Sequence, residues 1–183
     1  MAKAETGSPD TDALTWYAGT FEHLGIDNGR TGVDTLWHLF VLLWDLGMRK
    51  SSGEHCRGRD MSAENVESDT CEFELFQTSW NINTCSQMME VPTAKYTQKN
   101  HRCALHFFFE DVSCGETDWG CYGSVDRYHY QVLAKEDPQY ACESTVIGFR
   151  NRRQHWGPMN RYELEVRQEI SSLREPRDQG TCS

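Results

Sequence analysis

The sequence predicts a mainly helical α+β fold, a single domain built around one central buried helix. Three observations carry that class. Between Val33 and Met48, apolar side chains stand at Val33, Leu36, Trp37, Phe40, Val41, Leu43, Trp44 and Met48. This helical recurrence is so wide that it leaves almost no face for water and places the helix in a core. Shorter helical stripes and capping signals flank it on both sides. The one segment of strand character, HFFFEDV at residues 106–112, fits a short strand or a buried helical turn equally well by periodicity.

Length and charge bound the rest. A chain of 183 residues buries most of its apolar surface as one domain, and no internal repeat asks for a second. Lys and Arg number 18 against 28 Asp and Glu, a formal net charge of -10. The long-range field therefore repels phosphate, so nucleic acid is not an expected partner, nor is an anionic membrane surface. No segment offers the roughly 18 uninterrupted apolar residues of a membrane helix. No export signal is visible either, so the expectation is a soluble chain, in the cell envelope or secreted if a signal was removed.

Eight cysteines (Cys56, Cys71, Cys85, Cys103, Cys114, Cys121, Cys142 and Cys182) permit disulfides, but none forms a CxxC pair. That disfavours a zinc ribbon and a thioredoxin-like redox site. Cys114 and Cys121, across GETDWG, are either a local disulfide or two buried thiols. His101, Cys103 and His106 match no strong zinc spacing, so neither a metal nor a cofactor is expected.

In chain order, residues 1–12 read as a polar, frayed arm. Leu14, Tyr17, Phe21 and Leu24 repeat at helical spacing before the IDNGRTG turn. The central helix follows, with Asp34 near its positive N-terminal end and Gly47 and Gly53 bracketing its exit. Residues 54–74 are polar and aperiodic, a surface excursion of the kind that often binds ligands. LFQTSWN re-enters the core, and Asn81 or Asn83 caps a helix to about Met89, which Pro92 ends. Val125, Tyr128, Val132 and Leu133 make the next stripe. Asp137-Pro138 is an N-cap with Pro at the first helical position, opening a helix through Tyr140, Ala141, Thr145 and Phe149 to Arg150. The basic cluster Arg150 to Arg161 reads as a solvated helix end, with an acidic partner as its sharper alternative. Gly157-Pro158 breaks the chain, and Asn160 with Glu163 forms a capping box for a last helix buried on Tyr162, Val166, Ile170 and Leu173. The domain so defined spans residues 13–174, with a polar tail at 175–183.

MRKSSG at residues 48–53 and LFQTSWN at 75–81, followed by CYGS, QVLAKEDPQYACE and RQHWGPMNR, resemble the lysozyme-like superfamily. The likeness is closest to bacterial proteins akin to goose-type lysozymes and soluble lytic transglycosylases, and it covers most of residues 33–166. It implies a lysozyme-like domain acting on β-1,4-linked amino-sugar glycans of the peptidoglycan or chitin type. Ser51 and Ser52 fall in register with the family's residues after its catalytic Glu, and Leu75, Phe76 and Gln77 with its cleft-lining segment. Two positions depart from the pattern: Lys50 stands where the family has its Glu, and Glu74 where it has a Gly before Leu-Phe-Gln.

The chemistry of those departures is adverse to cleavage. A glycosidase acid must hold a proton and deliver it to the leaving oxygen. Lysine, with a reference pKa of about 10.4, donates poorly at neutral pH and brings positive charge to an oxocarbenium-like transition state. A Lys50–Glu74 ion pair is expected to fill the catalytic subsite. Glu54, Glu72 and Glu74 are the candidate substitute carboxylates, and Asp60, Asp69 and Glu72 the candidates for orienting water. Gln77, Ser79 and Asn81 are candidate hydrogen-bonding partners of a sugar, beside Ser51 and Ser52. Trp80 is either a stacking platform or core. A Ser-His-Asp hydrolase lacks its GxSxG elbow, and His155-Trp156 reads as packing at a connector. The expected function is thus to act on or bind such a glycan, a non-catalytic glycan-binding or protein-interaction module being the alternative.

Overall fold

The computed structural model describes residues 3–4, 7–55, 57–60, 67–97 and 121–166, of which 59% are helical and none lies in a strand. The mainly helical expectation therefore stands. Among the described residues its β part reduces to one antiparallel bridge, Phe73 with Thr78. Residues 106–112, Cys114 and the His101–Cys103–His106 group lie outside the described residues.

The predicted N-terminal helix is two short ones, α1 (Ala13–Trp16) and α2 (Ala18–His23), meeting at Tyr17. Asp12 starts α1 by accepting from the Leu14 N–H at 2.9 Å. Leu14, Tyr17 and Phe21 are fully buried, as their spacing requires. The described residues of the arm before α1 are tied down, not frayed. Arg150 pairs with the buried Asp12 at 2.9 Å and donates to the Lys3 and Ala4 carbonyls, while Arg153 donates to the Pro9 carbonyl and Gln154 to that of Asp10. Two members of the basic cluster expected at a solvated helix end, Arg150 and Arg153, instead hold these carbonyls, while Arg161 is solvated as expected. Arg153, 4% exposed, lies over the Trp16 ring at 3.8 Å.

The helix expected at the centre of the fold is α3, Val33–Ser51, which runs past Gly47 and into the RKS stretch. Gly47 is interior and packs on Leu75 and Phe76; the exit is made by Ser52, left-handed at φ 59°, and Gly53 at φ 82°. A second correction concerns its faces. Leu39, Val41, Leu42 and Leu46 are buried with Thr35 and His38, whereas Val33, Leu36, Phe40, Trp44 and Met48 are 41–71% exposed. The helix is apolar on two sides, and the side in the core also carries polar groups that other elements meet. His38 Nδ1 donates to Asn28 Oδ1 at 2.6 Å, Asn28 donates to the Leu14 carbonyl, and Thr35 donates to the Arg30 carbonyl at 2.7 Å.

After the excursion, 3-10 turns at Trp80–Thr84 and Gln87–Met89 lead into α4 (Glu90–Thr97). Pro92 sits in the first turn of α4 instead of ending a helix, because a first-turn N–H has no intrahelical acceptor to lose. In α5 (Val125–Glu136) the buried side is Tyr130, Gln131, Ala134 and Lys135, while Val125 and Tyr128 face water. The stripe expected on Val125, Tyr128, Val132 and Leu133 is thus rotated. Tyr130 wins the core position because its hydroxyl meets Thr78 Oγ1 at 2.7 Å and its ring meets Trp80 and Tyr140 edge-on.

Helix α6 (Pro138–Asn151) follows its sequence signals. Asp137 caps it through the Gln139 and Tyr140 N–H groups, and Tyr140, Ala141, Thr145 and Phe149 are buried. A Cβ on Gly148 would lie 2.5 Å from the Trp156 ring, so the missing side chain is what lets Trp156 pack directly on α6. The one-turn α7 (Gly157–Asn160) ends at Asn160, and residues 161–166 are irregular. Asn160 accepts from Arg153 rather than capping a further helix, and Glu163 pairs with Arg161. Ile170 and Leu173 lie outside the described residues. No helix among the described residues is long and apolar enough to cross a membrane.

Candidate functional site at the tip of α3

The last turn of α3 abuts a tight turn formed by residues 73–78. Phe73 and Thr78 exchange backbone hydrogen bonds, and the turn between them carries left-handed residues at Glu74 (φ 70°) and Gln77 (φ 50°). Neither is glycine, so local side-chain bonds must hold the conformation. Glu74 does so from inside. Its carboxyl oxygens accept from the Phe76 N–H at 2.8 Å, the Thr78 N–H at 3.1 Å and the Thr78 hydroxyl at 2.8 Å. Gln77 donates to the Glu74 carbonyl at 2.9 Å and reaches toward that of Gly58 at 3.4 Å.

Three contacts fix this turn to the scaffold. Ser51 Oγ lies 2.7 Å from the Leu75 carbonyl and 3.0 Å from that of Gly47, sharing one proton between them. Trp156, fully buried, donates its indole N–H to the Phe76 carbonyl at 3.1 Å. Tyr130 closes the third side through Thr78. The segment at residues 57–60 runs alongside, with Asp60 N–H donating to the Glu72 carbonyl and Glu74 N–H to that of Arg57.

Lys50 does not meet Glu74. Its Nζ lies 2.7 Å from Glu72 Oε2, with the two side chains 16% and 17% exposed. The expected Lys50–Glu74 pair is thereby corrected: Glu72 points to the α3 tip, while the left-handed backbone at Glu74 (φ 70°) directs its side chain into the turn. Glu74 has no exposure, and that burial outweighs its three donors and pushes its carboxyl up to about 8, with the Glu72 charge adding to the rise. Burial also raises Glu72, against the Lys50 charge that pulls it down.

The other side of the tip carries His155, a group the sequence offered only as connector packing. Its Nε2 accepts from the Ser79 N–H at 3.3 Å, so the ring proton belongs on Nδ1. Burial, then the Arg152 and Lys50 charges, lower its pKa to about 4 and keep it neutral. A neutral imidazole near Lys50 had no sequence signal, because it comes from a segment 105 residues away (155 less 50).

The remaining candidates are spread more widely. Ser52 is the exposed C-cap of α3, and Glu54, beyond the helix end, is an exposed carboxylate bound to Arg57 at 2.8 Å. Asp69 forms a two-pronged pair with Arg127 on α5. Asp60 is half-buried and acts electrostatically on Glu72. Ser79 donates to Asn81 Oδ1 at 2.9 Å, and the Asn81 carbonyl accepts from Arg152 at 3.0 Å. Trp80 is partly buried against Tyr130 and the core. Cys71, Cys85 and Cys121 are unbridged thiols that burial makes less acidic.

The chemical capacity of this arrangement follows from access. Glu74 cannot touch a ligand, Ser51 and Gln77 spend their hydrogen bonds on the turn, and Glu72 is accessible only beside its lysine. Compared with known proteins, the chain matches no family model, no curated protein and no solved structure.

Proposed function

We propose that this chain binds β-1,4-linked amino-sugar glycans without cleaving them. The glycan class rests on the sequence likeness of MRKSSG and LFQTSWN to lysozyme-like proteins. The non-catalytic half rests on the Lys50–Glu72 contact at 2.7 Å. An ammonium there holds Glu72 as its counter-ion and opposes the positive charge of glycoside cleavage. Of the three substitute carboxylates, Glu54 is solvated, Glu74 is sealed in, and Glu72 alone combines partial access with a raised pKa.

The test is a reducing-sugar assay on peptidoglycan and chitin oligomers, with binding to the same oligomers measured by calorimetry. Saturable binding without new reducing ends is the expected result. Cleavage that disappears in Glu72→Gln would assign Glu72 as the acid and overturn the non-catalytic reading, and absence of binding would remove the glycan. A protein-interaction role on the same scaffold is the second reading, favoured by the exposed apolar row on α3.

A further inference from the structure

The exposed face of α3 has an order that its composition does not require. Leu36, Phe40, Trp44 and Met48 follow one another at intervals of four and form a single i, i+4 ridge, with Val33 extending it at the N-terminal end. Trp37 stacks on Phe40 at 5.3 Å, and Phe40 lies 6.1 Å from Trp44, so the ridge is already ordered within one chain. No described residue covers it, although large apolar residues elsewhere in the core are buried almost completely.

We propose that this ridge is the interface between two copies of the chain, packed antiparallel about a two-fold axis through Phe40. A two-fold interface demands a patch complementary to itself, and this ridge is nearly palindromic. Reversal about Phe40 brings Phe40 to Phe40 and Leu36 to Trp44, small against large, while Val33 falls opposite Gly47, one residue out of register with Met48. Ridges of this i, i+4 kind interdigitate at the commonest helix crossing angle, near -50°. The antiparallel order also opposes the two helix dipoles.

The size agrees with such a role. Five large side chains at these exposures present on the order of 500 Å² of apolar surface, so two copies bury about 1,000 Å², the lower bound of a specific interface. Association is therefore reversible and concentration-dependent. Each copy carries a formal charge of -10, so screening salt strengthens it, the reverse of an association driven by opposite charges.

The full chain tests this by sedimentation equilibrium at low and high salt. A monomer–dimer equilibrium in the micromolar range, tighter in salt, is expected, and Phe40→Lys is expected to abolish the dimer while leaving the circular dichroism spectrum unchanged. Leu36→Lys and Trp44→Glu each weaken it at least tenfold. The Leu36→Lys/Trp44→Glu double variant recovers association, because each lysine then faces a glutamate across the axis. A chain monomeric at ~100 μM overturns the proposal, whatever else covers the ridge. So does a dimer indifferent to Phe40→Lys, or a double variant no better than either single one.

Discussion

The two sides of α3 are both apolar, and described residues cover only one of them. Its inward side buries Thr35, His38 and, at the tip, Ser51, each hydrogen-bonded, while its outward side shows water Val33, Leu36, Phe40, Trp44 and Met48. The inward side is the one that other elements can complete: Asn28 meets His38, the Arg30 carbonyl meets Thr35, and Leu75 meets Ser51. A hydrophobic recurrence that runs round a helix says that the helix has more than one apolar side, and it leaves the choice of core side to the partners. Once one side is covered, an apolar side is left over for another surface.

The largest test of this comparison uses one leucine from each side. Leu42 is fully buried and Leu36 half exposed. Leu42→Ala leaves a cavity and is expected to cost about 2–5 kcal/mol, whereas Leu36→Ala stays within about 0.5 kcal/mol in dilute, monomeric protein. Urea unfolding at low protein concentration measures both. Equal costs would mean that the outward side is a covered core face.

The sequence made much of this scaffold readable, and the reasons are local. Asp137-Pro138 carries its cap within three residues, so α6 and its buried positions are read directly from the chain. The same logic fails where the deciding partner is distant. Nothing near Tyr130 announces that Thr78 and Trp80 will draw it inward in place of Tyr128, and nothing near Arg150 announces the carbonyls of the arm. At the site, the importance of Lys50 and Glu74 was visible as a departure from a pattern. Their separation was not, because it depends on the left-handed backbone at Glu74 and on a helix that ends 21 residues before Glu72 (72 less 51).

A second comparison within the tip pits its buried acid against its buried base. Glu74, raised from 4.5 to about 8, keeps in the folded state a proton that the unfolded chain has released. Its contribution therefore makes stability fall as pH rises from about 4.5 to about 8, by at most about 1.4 kcal/mol per pH unit. His155, lowered from 6.5 to about 4, acts in the opposite sense: the unfolded chain binds the proton first, so stability is lost as pH falls from 6.5 through about 4. The two slopes oppose each other between about pH 4.5 and 6.5, and the wild-type profile is expected to be flat there. Glu74→Gln unmasks the histidine slope and His155→Gln the glutamate slope, both read as urea midpoints against pH. A profile that neither substitution tilts would show that these groups titrate normally.

The smallest expected effect separates the ion pair at the tip from the pair in the adjoining loop. Lys50 and Glu72 are 16% and 17% exposed, against 55% and 60% for Arg57 and Glu54. Lys50→Met strands Glu72 beside Asp60 and is expected to lose about 1–2 kcal/mol, between the values typical of exposed and fully buried pairs. Adding Glu72→Gln removes the stranded charge and recovers most of that loss, a coupling of about 1 kcal/mol in a double-mutant cycle. The same cycle on Arg57 and Glu54 should give a coupling near zero that vanishes with salt, because water and ions already screen both charges. Equal coupling in the two cycles would place Glu72 in effect at the surface, open to a ligand, and would return it to candidacy as a proton donor.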